Sequence, residues 1–252
     1  MDSSRRVHKE RLDRVLVAQG LVQSREAAAR TVLAGGVLVD GIMVDKPAKL
    51  VLPDARIEIA RSASFVSRSG DKLAAALEAF HIDPRGAICL DVGCSTGGFT
   101  DCLLQRGATR VYAIDVGYGQ FEWRLRQDSR VVLLERTNIR YVDRALVPEP
   151  IDLAAIDVSF ISLTLVLPSI MHLLNRSAVT VVLVKPQFEV GKGQVGRGGI
   201  VRNDAQRAAV IEKILACAAR LGLQLKGMLD SPVKGRKGNR EILVGFSRES
   251  AA

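Results

Sequence analysis

Cysteine and histidine are scarce in this 252-residue chain, and what there is lies scattered. Cys89, Cys94, Cys102 and Cys217 form no Cys-x-x-Cys pair, and His8, His81 and His172 do not cluster with them. Zinc and other metal sites are therefore not expected. Cys89 and Cys94 lie on or beside an apolar run and read as small core residues. So few cysteines, with no secretory leader pattern, predict a reducing, cytoplasmic compartment. Long apolar runs are also missing. "TVVLV" at 180–184 is far too short to cross a bilayer, so no membrane partner is expected. Two common glycine fingerprints are absent as well. After Gly93 the next glycines come four and five positions on, which is not Gly-x-Gly-x-x-Gly, and no Gly-Lys-Ser/Thr follows. Dinucleotide binding of the usual kind and P-loop chemistry are thereby set aside.

What the chain has is positive charge. Its formal charge is +9 and its pI about 9.7. An excess of that size favours a polyanionic partner, nucleic acid above all.

The order of patterns predicts two parts, 1–60 and 67–252, with a short polar linker at 61–66. In the first, "RLDRVLVAQ" carries apolar residues at helical spacing, and Ser24 precedes an Ala-rich helix that stops at Gly35-Gly36. "VLVDGIMV" reads as a hairpin turning at Asp40-Gly41, and "ARIEIA" as a further strand. Residues 1–62 hold eleven Lys and Arg against eight Asp and Glu. The pattern "RLDRVLVAQGLVQSREAAARTVLAGGVLVDG" resembles the S4 RNA-binding domain. That resemblance implies recognition of structured RNA by shape and backbone charge, with Arg6, Arg11, Arg14, Arg25 and Arg30 as the gripping cations.

From residue 70 strands and helices alternate. "AICLDVG", "RVYAIDVG", "RVVLLERT", "DLAAIDVSF" and "AVTVVLVKPQF" read as successive strands, and "QLKGMLDSPV" and "EILVGFSR" as a closing hairpin. The expectation is an α/β fold: a mostly parallel, Rossmann-like seven-stranded sheet with helices on both faces, behind a small α+β module.

Ligands bind at the carboxyl edge of such sheets. The stretch "LDVGCSTGGFT" at 90–100 ends the first strand there. Gly93, Gly97 and Gly98 allow close backbone approach and expose N–H groups at a helix N-terminus. Asp115, 24 positions after Asp91, ends the second strand, where a carboxylate can accept both hydroxyls of a ribose. This pairing looks like the first motifs of S-adenosylmethionine-dependent methyltransferases. The resemblance implies that Asp91, Gly93 and Ser95 face the methionine end of S-adenosylmethionine, that Thr96, Gly97 and Gly98 bind the cofactor with them, and that Asp115 holds the ribose. Asn138 is then either an adenine neighbour or a loop cap.

"IDVSF", 156–160, sits where base-nitrogen methyltransferases carry Asp/Asn-Pro-Pro-Phe/Tyr. Val158 and Ser159 replace both prolines, which weakens that alternative. Lys72, Asp157, Lys185 and Glu241 all lie at element edges, and their order resembles the catalytic tetrad of FtsJ-like ribose 2′-O-methyltransferases. With the S4 pattern ahead of "FVSRSGDKL" and "LVKPQFEVGKGQVGRGGIV", nearly the whole chain is similar to the TlyA (haemolysin A) family of ribosomal RNA methyltransferases. The resemblance implies 2′-O-methylation of a cytidine, with Lys185 as base, Lys72 as neighbouring cation, and Asp157 and Glu241 as orienting carboxylates. Two glycine-rich basic loops supply Lys192, Arg197 and Arg202, and Lys234, Arg236 and Lys237. They read as mobile grips on the RNA around the reacting nucleotide. Ribosomal RNA or a ribosomal subunit is the expected partner, and a monomer the expected state. A non-catalytic assembly factor is the rival from another class. A membrane-lytic protein is not expected, because no strongly amphipathic cationic helix is present.

Overall fold

A computed structural model describes residues 9–33, 36–59, 64–191, 193, 195, 196, 198–233 and 238–248. Residues 61–63 of the linker, and Arg6, Lys192, Arg197, Lys234, Arg236 and Lys237, lie outside the described residues. The chain divides into two compact units, with the boundary between Arg68 and Ser69.

In the first unit, helix α1 (Leu12–Ala18) buries Leu12, Val15 and Leu16, the i, i+3, i+4 stripe expected of a helix covering a core. Helix α2 (Arg25–Leu33) adds Ala28 and Val32. The Ser24 hydroxyl accepts from the Ala27 N–H at 3.1 Å and starts that helix. Strand β2 (Val37–Val39) pairs antiparallel with β3 (Ile42–Met43) and with β5 (Ile57–Ile59). Asp40 and Gly41 join β2 to β3 with φ of +50° and +75°, as the hairpin reading requires. A further pairing of β1 (Glu10–Arg11) with β4 (Leu50–Val51) escaped the sequence reading, because two-residue strands carry no periodicity.

The second unit holds a seven-stranded sheet in the order β11-β12-β10-β9-β6-β7-β8. Strands β6 (Ile88–Val92), β7 (Arg110–Ile114), β8 (Val131–Leu134), β9 (Ile151–Ile156) and β10 (Leu174–Val184) run parallel. Strand β12 (Ile242–Arg248) is antiparallel to both β10 and β11 (Leu223–Asp230). Helix α3 (Ser69–Ala79) precedes the sheet, and α4 (Gly98–Gln105) follows β6. The ring of Phe80, just after α3, lies against Gly227 and Gly245, where an added Cβ would come within 2.7 Å of it. Bare backbone on β11 and β12 thus lets α3 dock over the antiparallel end of the sheet.

The structure corrects one boundary and leaves two crossovers with a single helical turn each. Helix α6 (Leu163–Ile170) contains Pro168 and ends two residues after it. Strand β10 begins at Leu174, not Ala178, with an irregularity between Leu174 and Val179. Between β7 and β8 the chain makes only the single-turn helix α5 (Trp123–Arg126), and between β8 and β9 only a 3-10 turn, Ile139–Tyr141. The one-turn helix α7 (Pro186–Glu189) follows β10 directly, and the longer α8 (Asp204–Arg220) precedes β11. Among the described residues, no helix is long and apolar enough to cross a membrane.

Candidate active site

The carboxyl ends of β6, β9 and β10 lie side by side, and β12 enters beside β10 from the same edge. The four residues expected to be catalytic meet there as two ion pairs. Lys185, directly after β10, brings its Nζ to 2.5 Å from Asp157 Oδ1, a charge contact made off the hydrogen-bonding angle. The same Nζ donates to Ser159 Oγ at 3.0 Å. Lys72, in the first turn of α3, donates to Glu241 Oε2 at 2.5 Å. Both side chains of this second pair are nearly buried, at 11% and 4% exposure. Asp157 does not cap the next helix. Ser162 does, by accepting from the Thr164 N–H.

Glu189, on α7, was missed by the sequence reading. It accepts from Ser162 Oγ at 2.5 Å and from the Leu163 N–H at 2.7 Å, with Lys213 Nζ 3.6 Å away. The loop carrying Asp157 and Ser159 is thereby tied to the helix that follows Lys185. Phe160 sits in this loop with φ of +65° and 90% exposure, its ring centroid 4.8 Å from that of Phe188. The ring touches Phe188 and is otherwise open to solvent beside the charged rim.

The glycine turn has a protein-side reason. An added Cβ on Gly93, whose φ is +84°, would lie 2.5 Å from the Asp157 carbonyl oxygen. One on Gly97, at φ +94°, would meet Leu125 at 2.6 Å and Phe121 at 3.0 Å. Gly98 is buried in the first turn of α4, while Ser95 and Thr96 stand exposed at the tip of the turn. Asp91 lies beneath the turn rather than open to it. It is 0% exposed, and its Oδ2 accepts from the Thr100 N–H and hydroxyl at 2.9 and 2.6 Å. Burial pushes its carboxyl up to about 7, against the pull of the Thr100 hydrogen bonds, and nearby Asp157 and Asp115 push the same way. Its Oδ1 has no hydrogen-bond partner among the described residues.

Asp115 accepts from the Ser95 N–H at 2.8 Å and the Gly117 N–H at 2.6 Å, one on each oxygen. Each oxygen retains a second acceptor position. Glu135 accepts the Gly119 N–H and a two-point contact from Arg126, which orders the loop after Asp115. Asn138 takes the capping role, as its Oδ1 accepts from the Arg140 N–H and Nε at the start of the 3-10 turn. Cys89 and Cys94 are buried as expected, and burial pushes the Cys89 thiol up to about 12. Among the described residues, no three His, Cys, Asp or Glu side chains group as a metal site.

Of the expected RNA-binding residues, Arg14, Arg30 and Arg202 are exposed. Arg11 and Arg25 are half-exposed, but both are held by the buried Asp13. Arg11 binds it at two points, 3.0 and 2.8 Å, and Arg25 at 3.1 Å. The Arg11 hydrogen bond holds the Asp13 carboxyl well below the usual carboxylate range. Among the described residues of the glycine-rich loop, Gly199 N–H donates to the Gly196 carbonyl at 3.0 Å, and Gly196 N–H to the Ile200 carbonyl at 3.2 Å.

The FtsJ-like methyltransferase family matches residues 65–248, and the S4 domain matches residues 10–57. A Mycobacterium tuberculosis protein named 16S/23S rRNA (cytidine-2′-O)-methyltransferase TlyA is 47% identical, covering 94% of this chain and 89% of its own. A solved structure from Streptococcus thermophilus that carries the hemolysin name is 41% identical with a TM-score of 0.76, covering 96% of this chain and 90% of that one. The N-methyltransferase NodS of Bradyrhizobium japonicum, solved with S-adenosyl-L-homocysteine, shares the fold alone: 16% identity, a TM-score of 0.51, and 72% and 85% coverage. With an S4 domain ahead of an FtsJ-like methyltransferase domain, and close identity along nearly its whole length, the chain belongs to the TlyA family.

Proposed function

We propose that this protein methylates the 2′-hydroxyl of a cytidine ribose in ribosomal RNA, using S-adenosylmethionine. The observation that carries the reading is the meeting of Lys185, Asp157, Lys72 and Glu241 at the sheet edge that also bears the glycine turn. S-adenosylmethionine supplies a methyl group on a positively charged sulfur, already a good leaving group. The residues at the edge fit that molecule. Asp115 keeps acceptor capacity for ribose hydroxyls, Ser95 and Thr96 are open at the turn, and the orphaned Asp91 Oδ1 lies below it.

A ribose hydroxyl is a weak acid and needs a base. In this reading the neutral amine of Lys185, its own proton first given up to solvent, takes the hydroxyl proton, with Asp157 and Ser159 fixing the amine. Lys72 and Glu241, bound to each other, complete the charged rim. Phe160 offers a face on which a nucleobase turned out of its helix can stack. Exposed Arg14, Arg30 and Arg202 hold phosphates, as do Arg11 and Arg25 in the pose set by Asp13. Arg6, Lys192, Arg197, Lys234, Arg236 and Lys237 are assigned the same role on sequence grounds. The two units act as an RNA anchor (1–60) and a catalytic unit (67–252). Such a substrate implies a cytoplasmic protein, and one chain carries the whole tetrad, so a monomer suffices.

The test is transfer of radiolabelled methyl groups to ribosomal subunits by wild type and Lys185→Ala. The expected result is label in an alkali-resistant dinucleotide, with transfer down about 10²–10⁴-fold in the variant and cofactor binding retained. Label on a base would replace this reading with base-nitrogen methylation. Binding of cofactor and subunits without transfer would replace it with a non-catalytic assembly factor.

A further inference from the structure

Asn239 is 2% exposed, and both ends of its carboxamide bond to backbone on another segment. Its Oδ1 accepts from the Val201 N–H at 3.1 Å, and its Nδ2 donates to the Gly199 carbonyl at 2.9 Å. The side chain thus replaces one rung of a strand pair. The backbone it grips belongs to the tight turn at 196–200, and Val201 itself is buried at 4% exposure. That turn lies on the segment leaving Lys185 by way of α7, whereas Asn239 stands two residues ahead of Glu241. The Glu241 carbonyl is anchored in turn by the Ser231 N–H at 2.9 Å.

We infer that Asn239 is a positioning residue for methyl transfer, locking the glycine-rich turn after Lys185 to the strand end that presents Glu241. The inference rests on the methyltransferase reading and deepens it. A loop with five glycines loses much conformational freedom when ordered. With the clasp in place, the stretch from Gly199 to Val201 is held before RNA arrives. Without it, RNA must hold that stretch, and the two charged pairs lose their common frame.

Asn239→Leu removes donor and acceptor while keeping the branched shape of the side chain. Asn239→Asp keeps the acceptor but sets a carboxylate oxygen against the Gly199 carbonyl. Both are compared with wild type by hydrogen exchange at the Val201 amide, by cofactor Kd, and by steady-state transfer to ribosomal subunits. Asn239→Leu is expected to lose Val201 protection and to transfer about ten- to a hundredfold more slowly, with cofactor Kd unchanged. For Asn239→Asp the rate relative to wild type should rise as pH falls, because protonation restores a donor toward Gly199. Protection retained in Asn239→Leu, or wild-type rates despite lost protection, would overturn the inference while leaving the functional reading intact. If wild type transfers no methyl group, the functional reading falls, and the positioning role falls with it.

Discussion

Lys185 and Glu241 follow directly on the last cross-strand pair of β10 and β12, Val184 opposite Ile242, yet they do not bind each other. Lys185 turns to Asp157, at the end of the neighbouring parallel strand, and Glu241 turns to Lys72 on α3. Adjacent opposite charges are therefore split between two partners. Each lysine keeps its own carboxylate, and neither carboxylate serves both amines.

The Lys72–Glu241 pair is nearly buried, so removing one member strands the other charge. Glu241→Ala is expected to destabilise the fold by about 3–5 kcal/mol. A double variant with both residues replaced by apolar groups of similar size should recover most of that loss, while remaining unable to transfer methyl groups. Urea unfolding of the single and double variants, with a transfer assay on each, measures both. A single variant as stable as wild type would mean that Lys72 finds water or another partner.

Asp91 gives a pH dependence of definite sign. Its folded carboxyl is raised to about 7 by burial, whereas an unfolded aspartate titrates near about 4. Across that window the folded state binds more protons than the unfolded state, so this group's contribution to stability falls as pH rises and levels off above about 7. Asp91→Asn removes the titration. The Tm of wild type relative to Asp91→Asn should therefore drop between about pH 4 and pH 7. A difference that stays constant over the range counts against a raised carboxyl.

Gly93 links the turn to the charged rim. Gly93→Ala places a Cβ at φ +84° and 2.5 Å from the Asp157 carbonyl oxygen, so the two strand ends must separate. We expect destabilisation of about 1–3 kcal/mol and a loss of transfer that persists at temperatures where the variant is fully folded. Stability and single-turnover rates matching wild type would show that the edge yields without consequence.

Charge reversal at two exposed S4 positions tests the RNA grip. Arg14→Glu with Arg30→Glu should weaken binding to ribosomal subunits. It should also flatten the dependence of log affinity on log salt by about one for each phosphate that is no longer neutralised. Circular dichroism of the variant controls for folding, since neither side chain is buried. Equal affinities at low salt would remove these two arginines from the interface.

The sequence by itself determined the order of elements, most helix starts, and the Asp40-Gly41 hairpin. Those depend on periodicity, caps and left-handed backbone, which are local properties. It also marked Lys72, Asp157, Lys185 and Glu241, through their places at element ends together with the resemblance of their order to the FtsJ-like tetrad. Tertiary structure alone decided which of them pair. Lys72 and Glu241 are 169 positions apart, and they meet only because β12 inserts antiparallel between β10 and β11 while α3 packs across it. The same holds for Asp13, Glu189 and Asn239. As letters they are ordinary polar residues. Each becomes an organiser by being buried against backbone or arginine from a distant segment, and burial is a property of the assembled fold. Asp91 and Asn138 were legible as candidate cofactor neighbours, but their protein-side partners were not: Asp91 accepts from Thr100 beneath the turn and Asn138 caps a 3-10 turn, because polar groups at a strand edge satisfy nearby free backbone.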